Sequence, residues 1–155
     1  MKQDLPSLDL AYEASKGHYE MVARWVDSID NKIIAVFSVA SLLIGILATF
    51  KGVSPEWHFT FIIFCLATAF FIATATFCWK GFRTRTFIMG NNPRKLLEQY
   101  APLNPDETKR YLLKYWGENY EYNLTVLRQK SSALKWAIPS AGVEVLLLLC
   151  WLILA

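Results

Sequence analysis

The sequence predicts an all-α integral membrane protein with three transmembrane helices and helical cytoplasmic extensions. Three observations lead there: long apolar runs, an uneven placement of lysine and arginine, and helical spacing of apolar residues between the runs. Of 155 residues, 54% are hydrophobic and 19% charged, against roughly 45–50% and about 25% in soluble domains. The excess is concentrated in residues 33–50, 57–79 and 136–155. Each run is close to the roughly 20 helical residues that cross a hydrocarbon core about 30 Å thick. Burying three such helices in a soluble fold would demand a polar shell that the rest of the chain is too short to supply.

Residues 1–32 read as an amphipathic cytoplasmic helix. It starts after Pro6 with Ser7 as its cap, and Leu10, Ala14, Met21, Trp25 and Ile29 recur at helical spacing. No breaker separates it from the first span. The spacing therefore predicts one helix from about Leu8 to Phe50, on the order of 65 Å long, with roughly half its length projecting from the membrane. The opening residues MKQDLPS lack the charged-then-apolar layout of a secretory leader, so no cleavage is expected.

Residues 33–79 form a predicted transmembrane hairpin, closed by a tight turn over residues 51–56, where Gly52 and Pro55 punctuate KGVSPE. Close approach of helices in lipid depends on small residues. On that basis the packing faces are Ser38, Ser41 and Gly45 on the first span and Cys65, Ala69 and Ala73 on the second. The same faces could join copies of the chain into a homo-oligomer.

Residues 80–135 read as a cytoplasmic helical segment, broken at Gly90, Asn91, Asn92 and Pro93. A clear helix start follows: Asn104 as cap, Pro105 in the first helical position, Asp106 and Glu107 at the positive end of the dipole. Its apolar stripe is Leu113, Trp116, Tyr120, Leu124, Leu127, Ser131 and Leu134, suited to packing on the N-terminal helix. The helix is expected to run into the third span, residues 136–155, with Pro139 as a kink.

Orientation follows from the basic residues. Lys2, Lys16, Arg24 and Lys32 precede the first span, the first connection has only Lys51, the long segment from Lys80 to Lys135 carries all of the rest, and nothing basic follows the last span. The positive-inside rule puts the N-terminus and the long segment in the cytoplasm and the C-terminus outside. Nucleic acid is excluded as a partner, since Glu98, Asp106, Glu107, Glu118 and Glu121 dilute the basic face. Asn123 opens an NLT sequon that matters only on a lumenal face.

Catalytic motifs are missing from the sequence. His18 and His58 lie far apart, Cys65, Cys78 and Cys150 have no metal-ligand spacing, and no Gly-rich phosphate loop occurs. We therefore expect no enzyme, no catalytic residue, no cofactor and no metal. What remains is charge near the membrane. Asp27, Asp30 and Lys32 enter the first span, and folding the hairpin brings them beside Lys80, Arg83 and Arg85. They serve either as interfacial ion pairs, about 0–1 kcal/mol each, or as a charged ring at a pore mouth. Within the third span sits Glu144, with Ser140 one turn earlier. Three readings compete for Glu144: a protonated carboxyl bonded to a neighbouring helix, a contact with a partner's cation, or a place on a watery path.

The stretch DSIDNKIIAVFSVASLLIG, beginning at Asp27, resembles the Asp-x-Lys entry to the first span in small bacterial membrane effectors of nucleotide-signalled antiphage defence, the Pycsar transmembrane and SLATT-type effectors. Asp30 and Lys32 match that motif, and the layout of hairpin, charged helical stretch and returning span is similar over nearly the whole chain. The resemblance implies an inner-membrane effector that oligomerises and permeabilises or conducts when triggered. An appended cyclic-nucleotide domain is missing, so a separate soluble sensor or nucleotide-signalling protein would supply the trigger. The alternative is a non-conducting anchor or scaffold that holds a soluble partner through YLLKYWGENYEY, which begins at Tyr111.

Overall fold

Helix boundaries follow the local chemistry. In a computed structural model that describes residues 7–49, 58–84, 88, 94, 98 and 104–154, α1 spans Leu8–Thr49, α2 His58–Arg83 and α3 Pro105–Leu154. Helix α1 opens with the Ala11 amide donating to the Ser7 carbonyl at 2.9 Å. At the start of α3 the Asp106 amide donates to Asn104 Oδ1 at 3.3 Å and the Thr108 amide to the Asn104 carbonyl at 3.0 Å. This is the predicted cap, satisfying amides that have no partner within the helix. Lys80 and Arg83 fall in the last turn of α2, where the dipole favours cations. Helix α3 continues through Pro139, although proline removes one donor from the ladder. No strand occurs among the described residues. Each of the three helices contains a stretch long and apolar enough to cross a membrane, which fits a multi-pass membrane protein.

The chain forms two compact units, Met1–Asp27 with Arg85–Arg128, and Ser28–Thr84 with Gln129–Ala155. In the first, Trp116 of α3 takes Tyr12 at 5.3 Å between ring centroids and Tyr19 at 6.0 Å, the latter stacked. Lys109 donates to Asp9, and Val22, Val26 and Val126 are buried. The predicted N-terminal stripe is displaced: Leu10 is 75% and Trp25 50% exposed, while Val22 and Val26 face inward. The tyrosines decide the rotation, because their rings supply more packing area at Trp116 than Leu10 could and still keep a hydroxyl near polar groups. Along α3 the predicted stripe holds in part: Leu134 is buried, but Tyr120 and Ser131 are exposed, and Asn123, Val126 and Lys130 turn inward instead.

The second unit is a three-helix bundle. One apolar cluster joins Ile33 of α1, Cys78 of α2, and Leu134 and Ala137 of α3. A second joins Ile63 and Ala67 of α2 to Leu148 and Trp151 of α3, with Leu43 and Ile44 of α1 packed against it. From the first cluster to the second, residue numbers rise in α1 and α3 and fall in α2. The helices therefore run up, down and up. Outward faces are apolar as well, with Leu42 65% and Ile153 82% exposed, a surface that hydrocarbon solvates and water does not.

The predicted small-residue faces need correction. Ser38, Gly45, Cys65 and Ala69 are exposed, and Ser41 and Ala73 only half-buried. Among the described residues the buried small ones are Ala40, Ala67, Thr74, Cys78, Gly81, Ala133, Ala137 and Ser140. Small residues occur on more than one face of these helices, and the face that wins is the one in phase with Ile33, Ile63 and Leu148. The turn at residues 51–56, the breakers at 90–93 and Arg85 lie outside the described residues.

Candidate functional site

On α3, Asn123, Lys130, Ala137, Glu144 and Trp151 recur every seven residues and all are buried. This is the spacing of an inward-facing seam in packed helices. Three of the five are polar or charged, so the seam is where chemistry can reside.

Glu144 is fully buried, at 0% exposure, inside the second unit. Neither carboxylate oxygen has a hydrogen-bond partner among the described residues. No cation is close in sequence on any span: residues 33–49 contain no titratable side chain, residues 59–79 only Cys65 and Cys78, and residues 136–154 only Cys150 besides Glu144. A bare carboxylate in such a place costs several kcal/mol. Ser140, expected beside it, is committed elsewhere: its hydroxyl donates to the Phe70 carbonyl at 3.1 Å. The Thr74 hydroxyl donates to the same carbonyl at 2.9 Å. Two hydroxyls from different helices thus converge on one oxygen, one turn of α3 before Glu144. Along α3 this polar layer falls between the apolar cluster at Leu134 and Ala137 and the one at Leu148 and Trp151.

The entry charges are arranged differently from expectation. Asp30 pairs with Lys130 Nζ at 2.7 Å, and Lys130 also donates, at 3.4 Å, to the Gly81 carbonyl. Gly81 lies in the last turn of α2, whose final carbonyls lack helical donors. One ammonium therefore bridges α1, α2 and α3. Asp27, Lys32, Lys80 and Arg83 are exposed and form no ion pair among the described residues; Lys80 instead lies 5.8 Å from the Phe77 ring centroid. Sequence reasoning missed Lys130 because it was counted only as a topology charge. Its position two seven-residue steps before Glu144 was the available signal.

In the first unit Asn123 clasps one peptide group from both sides. Its Oδ1 accepts from the Ile88 amide at 3.1 Å, and its Nδ2 donates to the Ile88 carbonyl at 3.3 Å. The Tyr19 hydroxyl donates to the same carbonyl at 2.5 Å. Asn123 is buried with both amide atoms engaged, an internal structural group of the folded chain. Burial, and then the neighbouring Tyr115, push the Tyr19 hydroxyl up to about 12 from its ordinary 10. The folded state therefore keeps the Tyr19 proton between about pH 10 and 12 while the unfolded chain loses it. Stability from this group is complete below pH 10 and lost as pH rises through 12. Ultraviolet titration should show one late tyrosine, absent in Tyr19→Phe, and that variant should lose less of its stability across this pH range.

A cavity of about 220 Å³ also opens in the first unit, between Ser15, His18 and Tyr19 of α1 and Leu113, Trp116, Gly117 and Tyr120 of α3. Among the described residues no group of three His, Cys, Asp or Glu side chains is placed to hold a metal. No family model, no curated protein and no solved structure matches this chain.

Proposed function

We propose that the chain is a membrane effector that assembles in the bacterial inner membrane, with its N-terminus in the cytoplasm, and makes that membrane permeable when triggered. The observation that carries this reading is Glu144, a carboxylate with no hydrogen-bond partner among the described residues, inside a bundle whose outer faces are apolar. A mere anchor gains nothing from such a residue, since a charge at membrane depth costs at least about 2.5 kcal/mol. The entry motif at Asp30 and Lys32 supports a place in antiphage defence, with a soluble sensor as trigger. Purified protein reconstituted in liposomes tests the reading: wild type should form a discrete homo-oligomer and release trapped potassium. A monomer that leaves vesicles tight sinks it.

The cavity beside Gly117 favours a second reading, a scaffold for a soluble partner. A Cβ at Gly117 would meet nothing within 4 Å, so a side chain can begin there unhindered, and Gly117→Leu should narrow the opening and gain about 0.5–1 kcal/mol of helix stability. In a scaffold this variant folds and loses its partner in co-purification. In an effector triggered elsewhere, leak and growth arrest are unchanged by it.

A further inference from the structure

We infer that Glu144 is a proton-exchange site inside each chain's own helix bundle, so that the species handled there is the proton and not a hydrated ion. The inference rests on the permeability reading for its use in transport, but the site itself stands on geometry. Glu144 has no exposed surface within a single chain, so no neighbouring copy is needed to bury it.

Three observations select the ligand. First, a metal ion or dehydrated alkali cation needs several oxygens around it, and no cluster of three acidic, histidine or cysteine side chains exists among the described residues. Second, the nearby hydroxyls of Ser140 and Thr74 are already turned to the Phe70 carbonyl. Third, the groups facing this layer offer no competing charge. Helix α1 contributes no titratable side chain from residue 33 to 49. Helix α2 contributes Cys65, which is exposed, and Cys78, whose Sγ lies 3.9 Å from the Ile33 carbonyl; α3 contributes exposed Cys150. Asp30 and Lys130 satisfy each other fourteen residues away along α3. A proton neutralises one carboxylate without any further ligand.

The step is simple in its balance: hydronium gives one proton to the Glu144 carboxylate, leaving water and a neutral carboxyl, and the reverse releases it. Apolar clusters at Leu134 and Ala137 and at Leu148 and Trp151 flank the layer along α3. Their transient parting would admit a thread of water sufficient for a proton, while a hydrated ion would need both clusters opened wide.

Full-length protein in vesicles tests this with two readouts. Infrared difference spectra between acid and alkaline baths should show a carboxylic acid band that shifts in heavy water and vanishes in Glu144→Gln. With a potassium diffusion potential imposed, wild-type vesicles should take up protons, Glu144→Gln vesicles should fall to the rate of protein-free ones, and Glu144→Asp should retain uptake. If wild type and Glu144→Gln leak potassium equally and show no band difference, the inference fails while the permeability reading survives. A titrating Glu144 band in vesicles that stay tight to potassium and protons supports the exchange site and overturns the permeability reading. Absence of the band in wild type overturns the inference whatever the fluxes.

Discussion

Asp30→Ala is expected to destabilise the three-helix unit by about 2–4 kcal/mol, more than removal of its partner does. Breaking a buried pair from one side typically costs about 3–5 kcal/mol because the other charge is left without compensation. The lower range here reflects Asp30, whose side chain is 33% exposed, against 7% for Lys130. That asymmetry fixes the order of the variants. After Asp30→Ala, the Lys130 ammonium keeps, among the described residues, only the Gly81 carbonyl at 3.4 Å, beyond the usual range for an N–H···O bond. After Lys130→Met, Asp30 can hydrate, and methionine refills the apolar space, so about 1–2 kcal/mol is expected. The double variant should therefore be more stable than Asp30→Ala alone, with a coupling of about 1–3 kcal/mol. Thermal unfolding of all four proteins in one detergent gives the cycle. Strict additivity, or a double variant worse than Asp30→Ala, would mean that the pair does not hold the helices together.

The existence of the helices was readable because their signals are local and redundant. Asn104, Pro105, Asp106 and Glu107 name a helix start by four separate preferences, and the runs beginning at Ile33, Trp57 and Trp136 name spans by length alone. Facing was not readable to the same degree. Tyr12 against Leu10, Val26 against Trp25, or Ala67 against Ala69 differ by one or two residues, and each choice has comparable hydrophobicity. The decision comes from which partner each side meets, a property of pairs of helices and not of one.

Glu144 and Lys130 show the same limit from another side. The apolar run made Glu144 conspicuous, since a carboxylate inside it breaks a rule. Lys130 broke none, standing among other basic residues in a segment expected to be polar. Only the seven-residue step from Lys130 through Ala137 to Glu144 places both on one seam. Asn123 belongs to that step too, and its burial converts a surface-modification motif into an internal clasp on Ile88.

Gly81→Val is expected to cost about 3 kcal/mol, in contrast to glycines elsewhere in the same helices. A Cβ at Gly81 would stand 2.7 Å from Ile33 Cδ1 and 3.4 Å from the Ala133 Cβ. The Ile33 methyl is the far end of a flexible side chain, yet Ile33 is fully buried against Cys78, Leu134 and Ala137 and has little room to retreat. Overpacking of this kind typically costs about 1–3 kcal/mol, and valine adds two further methyl groups to the same gap. Gly81→Ala gains roughly 1 kcal/mol of helix propensity, which offsets part of its clash. Gly45→Ala and Gly142→Ala meet nothing within 4 Å and should be neutral or stabilising. The sharpest test is suppression. Ile33→Val removes the clashing methyl and by itself costs about 0.5–1.5 kcal/mol, whereas in the Gly81→Ala background it should restore stability. If Ile33→Val is equally harmful in both backgrounds, the contact between α1 and α2 at this layer is not the tight one described, and Gly81 is replaceable.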